Sequence, residues 1–483
     1  MNMSKTFLYS EIAENIASQI RSGNIREGEK LPSLRGLCAE YEISMNTARR
    51  VFLELESLSL IYSKPQSGYF VSKLSYKNLP LPEESNPILL ANHCEPNDIL
   101  QRVYANIGRE DLLLLSYTVA YGDMLPIAKL KKEIVQATRD LPTGGVQYER
   151  LEGNANLRRM IALRSSGWGA NLHEEDLITT NGGMNAVALC LTALSKPGDT
   201  VAIESPCYPG ILQLALGLGL KVFELPTNPN TGIKVEALRE VVSEIDICIL
   251  ISNYNTPVGS CMPDENKKEV VELLAQHDIP LIEDDVYGDL CFTGHRPTCC
   301  KTFDKTGNVL WCSSISKTLA PGFRVGWVAP GKYKDKVQNI KLIQSISSSS
   351  LEQEAVANFL RSGKYDKHLR KLRRKLYQNY QNYARVIQQS FPKNIKISQP
   401  QGGLSLWIEF SEEVDTIALY DLAMKKGISI APGRMFTLQD QYNNSMRLCF
   451  GLPWDVQLEG KIKQIGLLAR QLQNLKTVNI EQE

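Results

Sequence analysis

The sequence predicts an α/β protein in two parts: a small N-terminal helical module closed by a β-hairpin, then a large domain built on a mostly parallel sheet. Three observations predict it. Apolar residues recur at helical spacing through residues 9–58 and then give way to two short β-type runs. Beyond residue 97, strand-like runs alternate with helix-like ones, the order expected of parallel strands joined by crossover helices. The chain has 483 residues, more than one ordinary core accommodates.

The first helix follows from Ile12, Ile16 and Ile20, spaced by four between Tyr9 and Ile20, with Gly23 as its stop. Pro32 sets the approach to a second helix, Ser33 can cap it, and Leu34, Leu37 and Tyr41 form its buried stripe. Ser44 caps a third, SMNTARRVFLELESL. Its apolar set Ala48, Val51, Phe52, Leu55 and Leu58 covers one face, which turns Asn46, Arg49, Arg50 and Leu53 outward. Asn and Arg suit base edges in a major groove, while Ser44 and Thr47 at a helix start suit phosphates. The runs Ile61 to Ser63 and Tyr69 to Val71 flank Lys64 to Gly68 as a hairpin.

Charge does not argue for DNA by itself. Net charge is +1, and in residues 1–75 nine Lys/Arg face eight Asp/Glu. Contact with DNA must therefore be local. What carries the expectation is an ordered pattern, SGNIREGEKLPSLRGLCAEYEISMNTARRVFLELESLSLIYSKPQSGYFV, which resembles the GntR-type winged helix-turn-helix. That resemblance implies double-stranded operator DNA as partner, with Arg35 near the second helix and Ser44, Asn46, Thr47, Arg49 and Arg50 facing it. Glu27 stands where the family prefers proline, and Met45 where arginine is common; both bear on the target sequence rather than the fold.

Composition narrows the remainder. Hydrophobic residues make up 43% and charged residues 22%, close to the soluble average, and no run nears the ~18 apolar residues of a membrane helix. The opening residues show no signal peptide, so no membrane and a cytoplasmic location are expected. Eleven cysteines, an odd number without a CxxC, fit reduced thiols rather than a metal site. His93, His173, His277, His295 and His368 fit no ligand spacing and receive no role.

Residues 1–75 are thus expected to form the DNA-binding domain, the proline-interrupted residues 76–96 a linker, and residues 97–483 the large domain, with a smaller C-terminal subdomain at about 365–475. Within the large domain VAIES, ICILIS, IPLIEDD and VLWCSSIS read as strands, and MNAVALCLTAL and NKKEVVELLAQ as helices. Ligands in such sheets collect at the carboxyl ends of strands.

Several residues there have related chemistry. In SSISKTLAPGFRVGW, Lys317 follows a hydroxyl-rich strand end and could form a Schiff base, while Ser314 and Arg324 could hold a phosphate. Gly182 and Gly183 open a helix whose bare N–H groups suit the same phosphate. Tyr208 could stack on a flat ring. The run LIEDDVYGDL ends a buried strand with Asp284, Asp285 and Tyr287, and a carboxylate there needs a cationic partner such as a protonated pyridine nitrogen, while Asn255 and Tyr287 could bond a phenolic oxygen.

Taken in chain order from about Ser116 to Leu468, these pieces resemble the fold-type I aminotransferases, in particular the MocR subfamily fused to GntR domains. The resemblance implies pyridoxal 5′-phosphate (PLP) as cofactor, with Lys317 as catalytic residue carrying the internal aldimine and Asp284 on the pyridine nitrogen. It implies phenolate contacts from Tyr287 and Asn255, a ring stack from Tyr208, and Gly182, Gly183, Met184, Ser314 and Arg324 around the phosphate. It also implies a homodimer in which Tyr148 reaches the neighbouring subunit's phosphate, and Arg447 as the contact for a substrate or effector carboxylate. Met184 stands where Ser or Gln is common, and Thr256 directly precedes Pro257 where catalytic relatives carry Asn, so the phenolate contact is Asn255 or Thr256. Two functions stay open: a regulator sensing PLP or a small amino compound, and a working aminotransferase with an accessory DNA-binding domain. Transamination, on these departures, is expected to be weak or secondary. A basic run, DKHLRKLRRKLYQNYQNYARVI, reads first as the solvated face of a long helix.

Overall fold

A computed structural model describes residues 8–480 except 22–23, 27, 58–59, 65–66, 72–78, 94–97 and 293–295. The expected helix stop at Gly23, together with Glu27, Leu58, His295 and the two ends of the expected linker, lies outside the described residues.

The N-terminal module comprises α1 (Leu8–Arg21), α2 (Leu34–Glu40), α3 (Met45–Ser57) and the antiparallel pair β1 (Ile61–Lys64) and β2 (Gly68–Val71). Each of the last two helix starts is chemically specified. Ser33 Oγ accepts from Gly36 N at 3.1 Å and Ser44 Oγ from Thr47 N at 3.1 Å, satisfying N–H groups that the helix leaves free. One core joins Ile12, Ile16 and Ile20 of α1 to Leu37 of α2 and to Ala48, Val51, Phe52 and Leu55 of α3. Leu34 and Tyr41, expected in the buried stripe, are only half-buried and pack against the edge of that core. Ile61 and Val71, paired across the hairpin, close the bottom of the core. Truncating Phe52, which is fully buried, would cost about 3–5 kcal/mol through lost transfer energy and the cavity left behind.

The large domain is a twisted sheet of β3 (Ile178–Thr180), β4 (Thr200–Ser205), β5 (Lys221–Asn228), β6 (Ile247–Leu250), β7 (Leu281–Asp284), β8 (Val309–Ser314) and β9 (Gly326–Ala329). Spatial order is β5-β4-β6-β7-β8-β9-β3. From β5 to β8 all neighbours are parallel; β9 is antiparallel to both β8 and β3, and the short strand Asn92–His93 adds antiparallel to β5. The central strands are buried along their whole length, which is why they read as continuous apolar runs instead of alternating. A second sheet, β10 (Lys396–Ile397), β11 (Ser405–Glu409), β12 (Ala431–Pro432) and β13 (Ser445–Cys449), is antiparallel and belongs to the C-terminal part.

Between module and sheet, residues 79–91 run extended across the large domain and the small sheet. Ser85 donates N–H to Thr227 O at 3.0 Å, Ile397 donates to Pro80 O at 2.9 Å, and Lys234 pairs with Glu84. This stretch, expected to be a linker, is thus held along its length by both sheets. Among the described residues no helix is long and apolar enough to cross a membrane.

Candidate functional site

The parallel strands β4, β6, β7 and β8 all deliver their carboxyl ends to one place. A cavity of about 130 Å³ lies there, lined by Tyr208 after β4, Thr256 after β6, Asp284 and Tyr287 at the end of β7, and Ser314 and Lys317 after β8. Gly183 and Met184 at the start of the helix Gly183–Leu194, and Arg324 before β9, complete the wall expected from the sequence.

Lys317 is partly buried. Its Nζ donates to Thr118 O at 2.9 Å and stands 5.7 Å from the Tyr287 ring centre. Loss of hydration, then the Arg447 charge, lowers the Lys317 pKa to about 8, against partial support from Cys449 and Asp284. Asp284 is buried, and burial raises its carboxyl to about 7 even though Lys317 pulls the other way. Its Oδ1 has no hydrogen-bond partner among the described residues. A buried carboxylate oxygen without a donor costs free energy unless something cationic meets it.

The neighbouring Asp285 is different. It takes Arg296, Trp311 Nε1 at 2.9 Å and Asn253 Nδ2 at 3.0 Å, so its charge is fully answered by the protein. Strand alternation sends the two aspartates to opposite sides, leaving only Asp284 for the cavity.

The opposite end of the cavity is suited to an anion. Helix Gly183–Leu194 points its N-terminus into it, where unpaired N–H groups and the helix dipole favour negative charge. Gly182 has φ +98°, and a Cβ there would meet the Arg324 guanidinium at 2.2 Å; on Gly183 it would meet Val286 at 2.8 Å. Glycine at both positions therefore lets Arg324 and the helix start close together. Arg324 is exposed, donating to Asn181 O at 2.9 Å and to Ser316 Oγ at 3.4 Å.

Asn255 requires a correction to the expectation. Its Oδ1 accepts from Gly259 N at 2.9 Å and Ser260 N at 3.1 Å, while its Nδ2 donates to Glu204 at 3.2 Å. Its oxygen is taken by the turn and its amide by Glu204, and Thr256 lines the cavity instead. Glu204, buried beside it, is raised to about 8 by burial. Tyr148 is 82% exposed and Arg447 is buried against the Phe436 ring at 5.1 Å, with Nε unpartnered among the described residues; neither lines this cavity.

Sequence reasoning missed Tyr117 and Val119, which line the cavity, and Thr118, which holds Lys317. They lie in LSYTVAYG, outside any regular element, so periodicity carried no signal. Tyr104, hydrogen-bonded to Tyr208, was missed for want of any motif around it.

On the N-terminal module, Arg35, Ser44, Asn46, Arg49 and Arg50 are exposed and Thr47 is half-buried. Ser44 and Thr47 already hydrogen-bond each other at 2.9 Å, and Arg50 stacks over the Tyr9 ring at 5.5 Å. Asn46 and Arg49, on the same helix, are exposed.

Comparison with known proteins agrees with both halves. Residues 8–71 match the family of bacterial regulatory proteins, gntR family, and residues 116–457 match aminotransferase class I and II. Over 463 residues the chain is 37% identical to the uncharacterized HTH-type transcriptional regulator YjiR of Escherichia coli (strain K12), covering 95% of this chain and 98% of that protein. HTH-type transcriptional regulator NorG of Staphylococcus aureus (strain USA300) is 27% identical over 87% of this chain and 95% of its own length. Among solved structures, the multiple substrate aminotransferase of Thermococcus profundus superposes with a TM-score of 0.72 at 22% identity, over 79% of this chain and 96% of that one. LysN of Thermus thermophilus, an alpha-aminoadipate aminotransferase complexed with N-(5'-phosphopyridoxyl)-L-leucine, gives 0.70 at 22% identity over 79% and 96%. At such identity these two speak to the fold alone. With both family matches in one chain and full-length relatives of the same design, the protein belongs to the HTH-type transcriptional regulators of MocR architecture, a GntR DNA-binding domain fused to a class I and II aminotransferase domain.

Proposed function

We propose that this transcriptional regulator holds PLP at Lys317 and that occupancy of the cavity, by the cofactor alone or with a small amino compound, changes its affinity for operator DNA. One observation carries the reading: Asp284 presents an unpartnered, buried carboxylate oxygen in the same cavity as a lysine of lowered pKa. A protonated pyridine nitrogen would satisfy the first, and an aldehyde carbon would meet the second.

The residues present fit that group. Tyr208 would lie against the ring, and Tyr287 with Thr256 would face the phenolic oxygen. Gly182, Gly183, Met184, Ser314 and Arg324 would surround the phosphate, where the helix start supplies N–H donors and Arg324 a permanent charge. The cofactor, when bound, supplies an aldehyde for amines and an electron-withdrawing ring. Lys317 would supply the amine, released from Thr118 O; Asp284 would keep a proton on the ring nitrogen; the buried Arg447 charge would draw a carboxylate toward the site. A homodimer, in which the exposed Tyr148 reaches across to the neighbour's phosphate, belongs to this reading, as do Asn46 and Arg49 reading bases while Arg35, Ser44, Thr47 and Arg50 secure the backbone.

An effector shifts DNA binding only through different affinity for two arrangements of the protein. The test is a spectral titration of PLP-loaded protein with a panel of amines, run beside DNA binding in the same buffers. A change in the visible band together with a changed DNA isotherm supports the sensor; unchanged isotherms under every addition sink it. Sustained keto acid formation from an amino acid, favoured by the retained Lys317, Asp284 and Arg447, would instead support the working aminotransferase.

A further inference from the structure

A second cavity, of about 250 Å³, lies back to back with the first. Val286 and Ser314 line both. Its body is on the other side of the sheet, between β8, the helix Ala155–Ser165 and the start of the long helix Lys364–Ser390. Nothing in the function just described uses it.

Its walls have two characters. One is aromatic: Trp168, Trp311 and Trp327 stand in series, ring centres 4.7 Å apart for the first pair and 6.2 Å for the second. Trp327 Nε1 is buried with no partner among the described residues. The other is ionic, with Arg164, Arg296 and Arg373 against Asp285 and Asp289. Arg296 is consumed by Asp285 and, at 3.0 Å, by Asp289; Arg164 divides itself between Asp366 at 2.8 Å and Asp289 at 3.9 Å. Arg373 is different. Its Nε donates to Asp289 O at 2.7 Å, and its terminal amino groups make no hydrogen bond or ion pair among the described residues. With Asp366 counted, three carboxylates face three guanidinium groups, and the donors left over are the terminal amino groups of Arg373. Burial alone would raise the Asp289 carboxyl, yet Arg296, Arg164 and Arg373 together hold it below the ordinary range.

We propose that this cavity is a binding site for a small aromatic carboxylate, its ring against the tryptophans and its carboxylate on Arg373, and that occupancy is felt at Lys317. A planar anion of one or two rings matches both walls and the volume, whereas an amine, itself a donor, would meet the unused guanidinium donors of Arg373. The route to Lys317 is short. Tyr365, which lines the cavity, donates to Asp289 at 3.0 Å and lies 2.8 Å from Thr318 Oγ1; His368 Nε2 meets Thr318 O at 2.7 Å. Thr318 is the residue after Lys317. A carboxylate on Arg373 competes for the arginine that holds the Asp289 backbone, and the displacement passes through Tyr365 to Thr318. The site stands without the cofactor; only its coupling rests on the reading of Lys317 proposed above.

The test uses full-length protein stripped of cofactor, titrated calorimetrically with indole-3-acetate and with its neutral analogue indole-3-acetamide. Saturable binding of the acid at one site per chain, about tenfold or more tighter than the amide, is expected for a charge-assisted contact. Arg373→Met should remove that preference, Arg373→Lys should retain part of it, and Leu360→Trp should fill the cavity and abolish binding, with circular dichroism melts checking that each variant folds. Absence of saturable binding, or equal binding of acid and amide to the wild-type protein, overturns the site without recourse to any variant. In PLP-loaded protein the acid should change the cofactor dissociation constant by about threefold or more; binding with no change overturns the coupling. Failure of wild-type protein to give any visible cofactor band, with indole-3-acetate still bound, would sink the Lys317 reading and leave the site intact.

Discussion

Ser85 Oγ donates to the carbonyl of Ser205 at 2.7 Å and accepts from Thr227 N, so the segment between the two domains is pinned to the carboxyl ends of β4 and β5. Ser205 is three residues before Tyr208, which lines the candidate cofactor cavity. The buried Ser85 hydroxyl thus ties the exit from the DNA-binding domain to the loop that presents Tyr208.

Ser85→Ala leaves the Thr227 N–H and the Ser205 carbonyl short of a partner in a buried place. A loss of about 1–3 kcal/mol is expected, measured by urea unfolding of the large domain. An unchanged midpoint would mean water replaces the hydroxyl.

Lys317→Ala should abolish the visible band given by PLP and the mass increase trapped by borohydride, because no other lysine lines the cavity among the described residues. DNA affinity without cofactor should be unaltered. A band persisting in the variant would place the linkage on another lysine.

Lys317 also predicts a pH dependence. Its pKa is lowered from 10.5 to about 8, first by burial and then by Arg447, so the amine is neutral above about 8 and protonated below. The rate at which the protein captures PLP should rise with pH through that midpoint and then level off. In the cofactor-free protein the unfolded chain holds this proton more tightly, so the contribution of Lys317 to stability grows as pH rises from about 8 to 10.5. Asp284 has the opposite sign: raised from 3.8 to about 7, it makes the folded state lose stability as pH rises through that window. Stopped-flow capture rates and unfolding midpoints across roughly pH 4 to 10 would check both.

Asp284→Asn removes the charge proposed to answer the ring nitrogen. PLP affinity should fall roughly tenfold to hundredfold, as for loss of a charged hydrogen bond. The capture midpoint should also move down, because Asp284 supports the protonated form of Lys317. An unchanged affinity would remove Asp284 from the site.

On α3, Arg49→Ala and Asn46→Ala should each weaken operator binding by about 1–3 kcal/mol while leaving the fold alone, since both side chains are exposed. Leu55→Ala, fully buried further along the same helix, should instead lower stability by about 2–5 kcal/mol. Gel-shift titration and thermal melts separate the two effects.

Much of this protein was determined by local chemistry that a sequence displays. Ser33 and Ser44 cap helices because their hydroxyls accept from N–H groups three residues on, and Ile12, Ile16 and Ile20 face one core because a helix repeats every ~3.6 residues. The strand ends bearing Tyr208, Asp284 and Lys317 were readable in the same way. What only the tertiary structure decided concerns partners distant in the chain. Spacing alone does not separate Asp284 from Asp285, and only the family resemblance favoured the first; in the fold Arg296 and Trp311 claim the second and leave an oxygen of the first free among the described residues. Asn255 and Thr256 are alternatives on sequence grounds, and Glu204, 51 positions upstream, takes the Asn255 amide while the turn takes its oxygen, which leaves Thr256 to the cavity. Thr118, holding Lys317 from 199 positions away, and the cavity behind Ser314 left no local trace at all. Spacing along a chain specifies what one element can present, whereas the hydrogen bond or charge that uses it comes from whichever element the fold brings alongside.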